Sequence, residues 1–402
     1  MVEYIQSGTK QSRLASISLF LGGFVTFAIL YTTQPLMPVF TKEFGVSAPV
    51  ASLSLSLSTG LLAVVMLIAA ALSDAVGKRK IMIFSMLSTS ILGLLSAFSP
   101  NFMTLLIYRA LLGIFIAGIP SIAMAYVSEE FSPKEIGKVM GLYISGTSIG
   151  GLSGRIVTAA LTDLFTWQIA LSAVGIMTIL LSIVFWLTLP APRHLVKKPL
   201  QWKAACEAYK SHFKNKQLMT LLALPFLLMG SFVTLYNYIG FLLVEPPYNL
   251  SQTVVGFIFV VYLFGTFSSI FMGRKADELG YSKTLKISLA IMISGVILTL
   301  VPLLLVKILG ISIFTFGFFA CHSIASAWVG ESAVNYKAQA SALYLLFYYL
   351  GSSLVGSFGG YFWVHFHWIG VVSLIFGLLM VGYLLIVKSE KSLVKKDKTY
   401  NI

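Results

Sequence analysis

Charge is what this sequence has least of. Only 10% of its 402 residues are charged, where a water-soluble domain carries about 25%. So few charges cannot cover a water-facing surface, but they suit a lipid-facing one. Cysteine is also scarce. Cys206 falls in a basic stretch and Cys321 in an apolar run, so neither a disulfide framework nor a thiolate metal site is expected. No Gly-x-x-x-x-Gly-Lys-Ser/Thr phosphate loop occurs, which excludes a chain that drives itself with ATP. The five histidines, His194, His212, His322, His365 and His367, form no cluster with carboxylates. No catalytic constellation is visible, so neither an enzyme nor a cofactor is expected. No nucleic-acid partner is expected either.

What is present is apolar length. Hydrophobic residues make up 57% of the chain, and the mean hydropathy is +0.90. A helix crosses the hydrocarbon core with about 20 apolar residues. Twelve charge-poor runs of that order are read, at roughly 15–40, 49–72, 81–98, 102–127, 139–161, 167–189, 218–244, 253–272, 287–306, 308–330, 338–363 and 366–387. Barrel strands would be about 10 residues long and strictly alternating, so helices are predicted. The first run is too long for a cleavable signal and lacks a small-residue cleavage site.

The net charge of +14 is explained by its placement. With the N-terminus in the cytoplasm, inner segments hold 24 of the 28 basic residues, and outer loops hold only Lys42 and Lys307. This follows the positive-inside rule and predicts a multi-pass protein of the cell membrane with both termini cytoplasmic. Arg109 and Arg155 remain, both within spans.

The chain reads as residues 1–189, a basic cytoplasmic linker at 190–217, and residues 218–402 with a short basic tail. The two halves repeat. Ser121-Ile122-Ala123-x-Ala125-Tyr126-Val127-x-Glu129 returns as Ser323-Ile324-Ala325-x-Ala327-Trp328-Val329-x-Glu331, and Asp74-x-x-Gly77 returns as Asp277-x-x-Gly280. Phe165-Thr166-Trp167 returns as Phe366-His367-Trp368, with all offsets between 201 and 204. A repeat of six spans in the same orientation predicts two bundles related by an axis along the membrane normal, with a solute site between them.

The loop after the second run reads Leu72-Ser73-Asp74-Ala75-Val76-Gly77-Lys78-Arg79. It resembles the loop signature of the major facilitator superfamily, Gly-x-Leu-Ala-Asp-Arg-x-Gly-Arg-Lys. A second copy, Gly273-Arg274-Lys275-Ala276-Asp277-Glu278-Leu279-Gly280, keeps two glycines and the aspartate. Glycine permits a tight turn at positive φ, and a carboxylate at a helix end can meet the positive N-terminus of another helix. The resemblance implies an all-α membrane fold of twelve transmembrane helices in two six-helix bundles. It also implies a cytoplasmic gate made by Asp74, Gly77, Arg79, Asp277 and Gly280. Ala75 stands where the signature has arginine.

In the fourth span Arg109 and Gly113 match the superfamily's intramembrane arginine and its glycine four residues on. A charge in hydrocarbon normally faces a cavity or a partner, so Arg109 reads as functional or as a buried hydrogen-bonding element. In the fifth span Gly146, Gly150, Gly151 and Gly154 resemble the antiporter motif Gly-x-x-x-Gly-Pro-x-x-Gly-Gly of the drug–proton antiporter branch. Small residues let helix backbones approach closely, which gives Gly113, Gly146, Gly150 and Gly154 a packing role. Gly151 replaces the proline and Arg155 the last glycine.

No Asp or Glu falls in the middle of any run, and two arginines do. That balance favours a neutral or anionic solute over a lipophilic cation, although Arg155 could instead pack against backbone carbonyls. Further polar candidates for solute binding or coupling are Tyr31 and Gln34, Asn237 and Tyr238, His322, and Tyr344 with Tyr348. The whole implies a monomeric secondary transporter in the lipid bilayer, exporting a small solute against protons by alternating access. Uptake, lipid flipping and a non-transporting sensor stay open as alternatives on the same fold.

Overall fold

The computed structural model describes residues 4–6, 8–192, 202–333 and 335–400, with main chain alone at 70, 74, 133, 202–206, 208, 338 and 389–400. Fifteen helices cover most of these residues, and no strand occurs among them. The chain divides into two compact units. One comprises Met1–Gln201 with Asn249–Phe259, and the other Trp202–Tyr248 with Val260–Ile402.

The first unit contains α1 (Lys10–Leu30), α2 (Met37–Phe44), α3 (Ala48–Val76), α4 (Lys78–Ser96), α5 (Phe102–Ile116), α6 (Pro120–Glu130), α7 (Pro133–Leu164) and α8 (Trp167–Thr188). The second begins with α9 (Trp202–Lys214) and α10 (Lys216–Val244). After α10 the chain returns to the first unit as α11 (Gln252–Phe257), makes a 3-10 turn at Ile258–Val261, and continues in the second as α12 (Tyr262–Leu279). The second unit then runs through α13 (Tyr281–Leu298), α14 (Leu304–Ser332) and α15 (Lys337–Tyr400).

Among the described residues ten helices are long and apolar enough to cross a membrane. One of them, Gln339–Lys388, has 50 residues, about 75 Å of helix at 1.5 Å per residue. It bends at His367, whose φ of 49° lies in the left-handed region, and so supplies two crossings. His367 occupies the repeat position of Thr166, which caps α8 by accepting from Ile169 N–H. Helix α7, rich in glycine, serine and threonine, supplies the twelfth.

Several spans are broken where an uninterrupted helix was predicted, and the reason is local. The first span ends at Leu30 because Pro35 has no N–H to give Tyr31, whose carbonyl takes the Gln34 N–H at 3.1 Å instead. The chain turns through Thr32 and Thr33 and restarts as α2. The fourth span breaks before Pro120, which opens α6.

Within the first unit, α1 and α7 approach at three glycines. A Cβ added at Gly146 would overlap the carbonyl oxygen of Phe20, one at Gly150 that of Phe24, and one at Gly154 that of Ala28. Both partners advance four residues at each step, so the two helices run parallel, as two odd-numbered spans must. The repeat extends to this packing. In the second unit a Cβ at Gly351 would overlap the Phe226 carbonyl, the positions equivalent to Gly150 and Phe24. Gly113 of α5 lies equally close to the Ser58 backbone of α3.

Candidate functional site

In the first unit the break in α1 brings two predicted polar groups, Tyr31 and Gln34, to Arg155. Its Nε donates to Gln34 Oε1 at 2.8 Å, and its Nη1 donates to Gly151 O at 2.7 Å, one turn back on α7. The guanidinium carbon lies 4.0 Å from the centre of the Tyr31 ring and 4.8 Å from that of Phe259. Arg155 is 3% exposed. A planar cation stacked on two aromatic faces is held without a counter-charge from those rings. Phe259 is a member of this group that the sequence did not announce.

Arg109 is 1% exposed and points at main chain. Its Nε donates to Ser54 O at 2.7 Å, Nη1 to Ile29 O at 3.0 Å, and Nη2 to Leu30 O. Ile29 and Leu30 are the last residues of α1, whose carbonyls lose their helical partners at the break. The arginine therefore caps α1 with a cation where the helix dipole is negative. Its own carbonyl accepts from Ser58 Oγ at 2.7 Å. The two arginines grip opposite sides of one helix break, Arg109 the carbonyls before it and Arg155 the Gln34 side chain within it.

In the second unit His322, Tyr344 and Tyr348 come together. His322 Nδ1 is 2.7 Å from the Tyr344 hydroxyl, and its ring centre is 4.7 Å from that of Tyr348. Phe318 lies against the imidazole at 6.0 Å and 5°. Phe318 also stacks on Phe232 at 3.8 Å, and Phe232 leads to Tyr236 and Tyr262. Aromatics four apart on one helix, Phe232 with Tyr236 and Phe314 with Phe318, were the available sequence signal for this wall. Asn237 and Tyr238 lie apart from it. Tyr238 donates to Gly356 O at 2.9 Å and to Ser357 O at 3.2 Å, and Asn237 Nδ2 reaches Gly356 O at 3.5 Å. Both hold α10 to α15.

Gly77 joins α3 to α4 and Gly280 joins α12 to α13, each through one residue, at φ 112° and 82°. Arg79 donates to the carbonyls of Leu189 at 2.8 Å and Trp186 at 3.2 Å, closing the end of α8. Lys78 pairs with Glu129 at 2.9 Å. At the repeat positions, the Glu331 carboxylate, with Asp277 adding its charge, pushes the Tyr281 phenol up. Asp277 is exposed, and the side chain of Asp74 lies outside the described residues.

The comparisons agree with this architecture. The sequence profile described as Major Facilitator Superfamily matches residues 19–356. The chain belongs to the major facilitator superfamily. It is 47% identical to the uncharacterized MFS-type transporter YybF of Bacillus subtilis over 98% of both chains. It is 41% identical to the inner membrane transport protein YnfM of Escherichia coli, over 95% of this chain and 92% of that one. Its fold matches a bacterial homolog of the human lysosomal transporter Spinster, in an inward-facing and unoccupied conformation. That match has a TM-score of 0.80 and 17% identity, and covers 97% of this chain and 99% of the other. This facilitator is thus a multi-pass membrane transporter with the twelve-helix fold, and it moves a small solute rather than catalysing a reaction.

Proposed function

We propose that this transporter exports a neutral or anionic small solute by alternating access, in exchange for protons. The observation that carries the solute class is Arg155, buried on the Tyr31 and Phe259 rings with Gln34 at its Nε. A fixed cation in a low-dielectric site disfavours a second cation strongly. It leaves neutral hydrogen-bonding groups and anions as occupants. Export rather than uptake is supported by the glycine row of α7, which resembles the antiporter branch and is used here as a helix contact. The protein acts as a monomer, with both termini and the basic 190–217 linker in the cytoplasm, and Asp74 and Asp277 belong to its inner gate.

The test is a panel of radiolabelled neutral, anionic and cationic solutes in inverted membrane vesicles, with and without an imposed pH gradient. Gradient-dependent accumulation of neutral or anionic members supports the reading. Accumulation confined to cations, or indifferent to the gradient, would falsify it.

A further inference from the structure

The Tyr344 hydroxyl makes two hydrogen bonds to one residue. It lies 2.7 Å from His322 Nδ1, and it donates to the His322 carbonyl oxygen at 3.1 Å. A phenol has a single proton. Given to the carbonyl, it leaves only lone pairs toward the ring, and Nδ1 is then the donor of the shorter bond. That arrangement of protons is the Nδ1–H tautomer, with the lone pair on Nε2. No hydrogen bond joins Nε2 to a described residue. The ring is half-buried, flanked by Phe318 and Tyr348. A proton arriving at Nε2 would leave both Tyr344 bonds intact.

The surroundings narrow the choice further. The titratable groups of the aromatic wall around the ring are Tyr344 and Tyr348 of α15, Tyr236 of α10 and Tyr262 of α12, with Cys321 beside it on α14. Tyr236 is already bonded to Thr315 at 2.7 Å. Phenols and thiols ordinarily ionise above neutrality, and Arg109 and Arg155 stay protonated. The predicted spans hold no carboxylate at mid-depth. Histidine is the side chain whose ordinary titration falls between about pH 5 and 8, and His322 lies between the Phe318 and Tyr348 rings, well within its span.

We propose that His322 Nε2 is the proton-coupling site of this transporter, with Tyr344 as the positioning residue that fixes the tautomer. The inference rests on the proton-exchange reading above and names the atom that carries it out. One proton adds to the Nε2 lone pair when the site is open to one side, and the same proton leaves from Nε2 when it is open to the other. Electrons and atoms balance without any further reactant.

The experiment uses the full chain with 15N-labelled histidine in lipid nanodiscs, with His322→Gln to assign the resonances. Near pH 8, wild type should show a pyrrole-type Nδ1 and a pyridine-type Nε2, converting to imidazolium as the pH is lowered. Tyr344→Phe keeps the ring and removes the hydroxyl, and it should give a mixture of tautomers. An Nε2–H tautomer in wild type, or a ring that stays neutral throughout the acid titration of the folded protein, overturns the proposal.

Proteoliposomes loaded with a fluorescent pH dye, given the same solute panel, separate the two readings. Loss of solute-driven proton movement in His322→Gln supports the assignment. Undiminished proton movement in that variant overturns it and leaves proton exchange standing. Titration of His322 with no solute-driven proton movement in wild type overturns proton exchange, and the coupling role with it.

Discussion

Asp163 Oδ2 accepts from both donors of Thr253, the hydroxyl at 2.8 Å and the backbone N–H at 3.4 Å. The bond joins the C-terminal end of α7 to the first turn of α11. Just below it, a Cβ on Gly256 would press on Ala159. The Thr253 hydroxyl bond holds the Asp163 carboxyl below its ordinary value of 3.8, with Ser251 and the Gln252 main chain adding to the effect. A depressed carboxylate contributes stability above its unfolded value, and that contribution is lost as pH falls through the folded one. Asp163→Asn should therefore lower the melting temperature slightly and equally from neutral pH down to about pH 5. The difference should begin to shrink near 3.8 and vanish only once the pH is below the still lower folded value. Melting of both proteins in detergent across that range is the measurement. A difference that grows on acidification would contradict the assigned role.

The glycine contacts give a matched test of the repeat. Gly150→Ala and Gly351→Ala should each destabilise by about 1–3 kcal/mol, the range for overpacking a tight interior. Each new methyl would meet a main-chain carbonyl that cannot move aside. Gly141→Ala on the same α7 has nothing within 4 Å of its added Cβ and should be neutral. Fluorescence-detected gel filtration after heating ranks the three variants.

Arg109→Met should destabilise strongly, because the Ser54, Ile29 and Leu30 carbonyls lose their donors in a buried site, at about 1–3 kcal/mol for each group left bare. Arg109→Lys should recover only part of that, since an ammonium lacks the planar fork. Both should lose most transport. Equal melting temperatures for wild type and Arg109→Met would show that the cap on α1 is dispensable.

For Arg155→Ala the expected change is in preference. Reconstituted protein should shift toward less anionic members of the solute panel with a smaller change in stability. If the preference ratio holds while thermal stability drops, Arg155 serves to fasten α1 to α7, and the solute class loses its main support.

Orientation can be read by chemical labelling. On a background with Cys206 and Cys321 replaced, Lys42→Cys and Asn101→Cys should react with an impermeant thiol reagent in intact cells, and Lys210→Cys should react only after permeabilisation. Labelling of the position 210 variant in intact cells would invert the proposed topology.

The sequence by itself determined the class, the number of crossings and the pairing of the two halves. Those properties depend on summed apolar length and on a constant offset, which no packing detail can alter. The offset even carried through to side-chain contacts, since Lys78 with Glu129 and Tyr281 with Glu331 occupy equivalent places. It also marked Arg109, Arg155 and His322, because a lone polar side chain in an apolar run is conspicuous. Their tasks were decided only by tertiary structure. Whether an arginine meets only carbonyls, as Arg109 does, or aromatic faces and an amide beside one carbonyl of its own helix, as Arg155 does, depends on which helix lies opposite and where that helix ends. The break after Leu30 has a local cause in Pro35, but its use as a socket for two arginines depends on α5 and α7 packing beside it. Phe259 could not be found in advance, for it reaches Arg155 only because the segment Asn249–Phe259 joins the first unit. Sequence periodicity reports which residues avoid water; it does not report which of them meet across a hundred positions of chain.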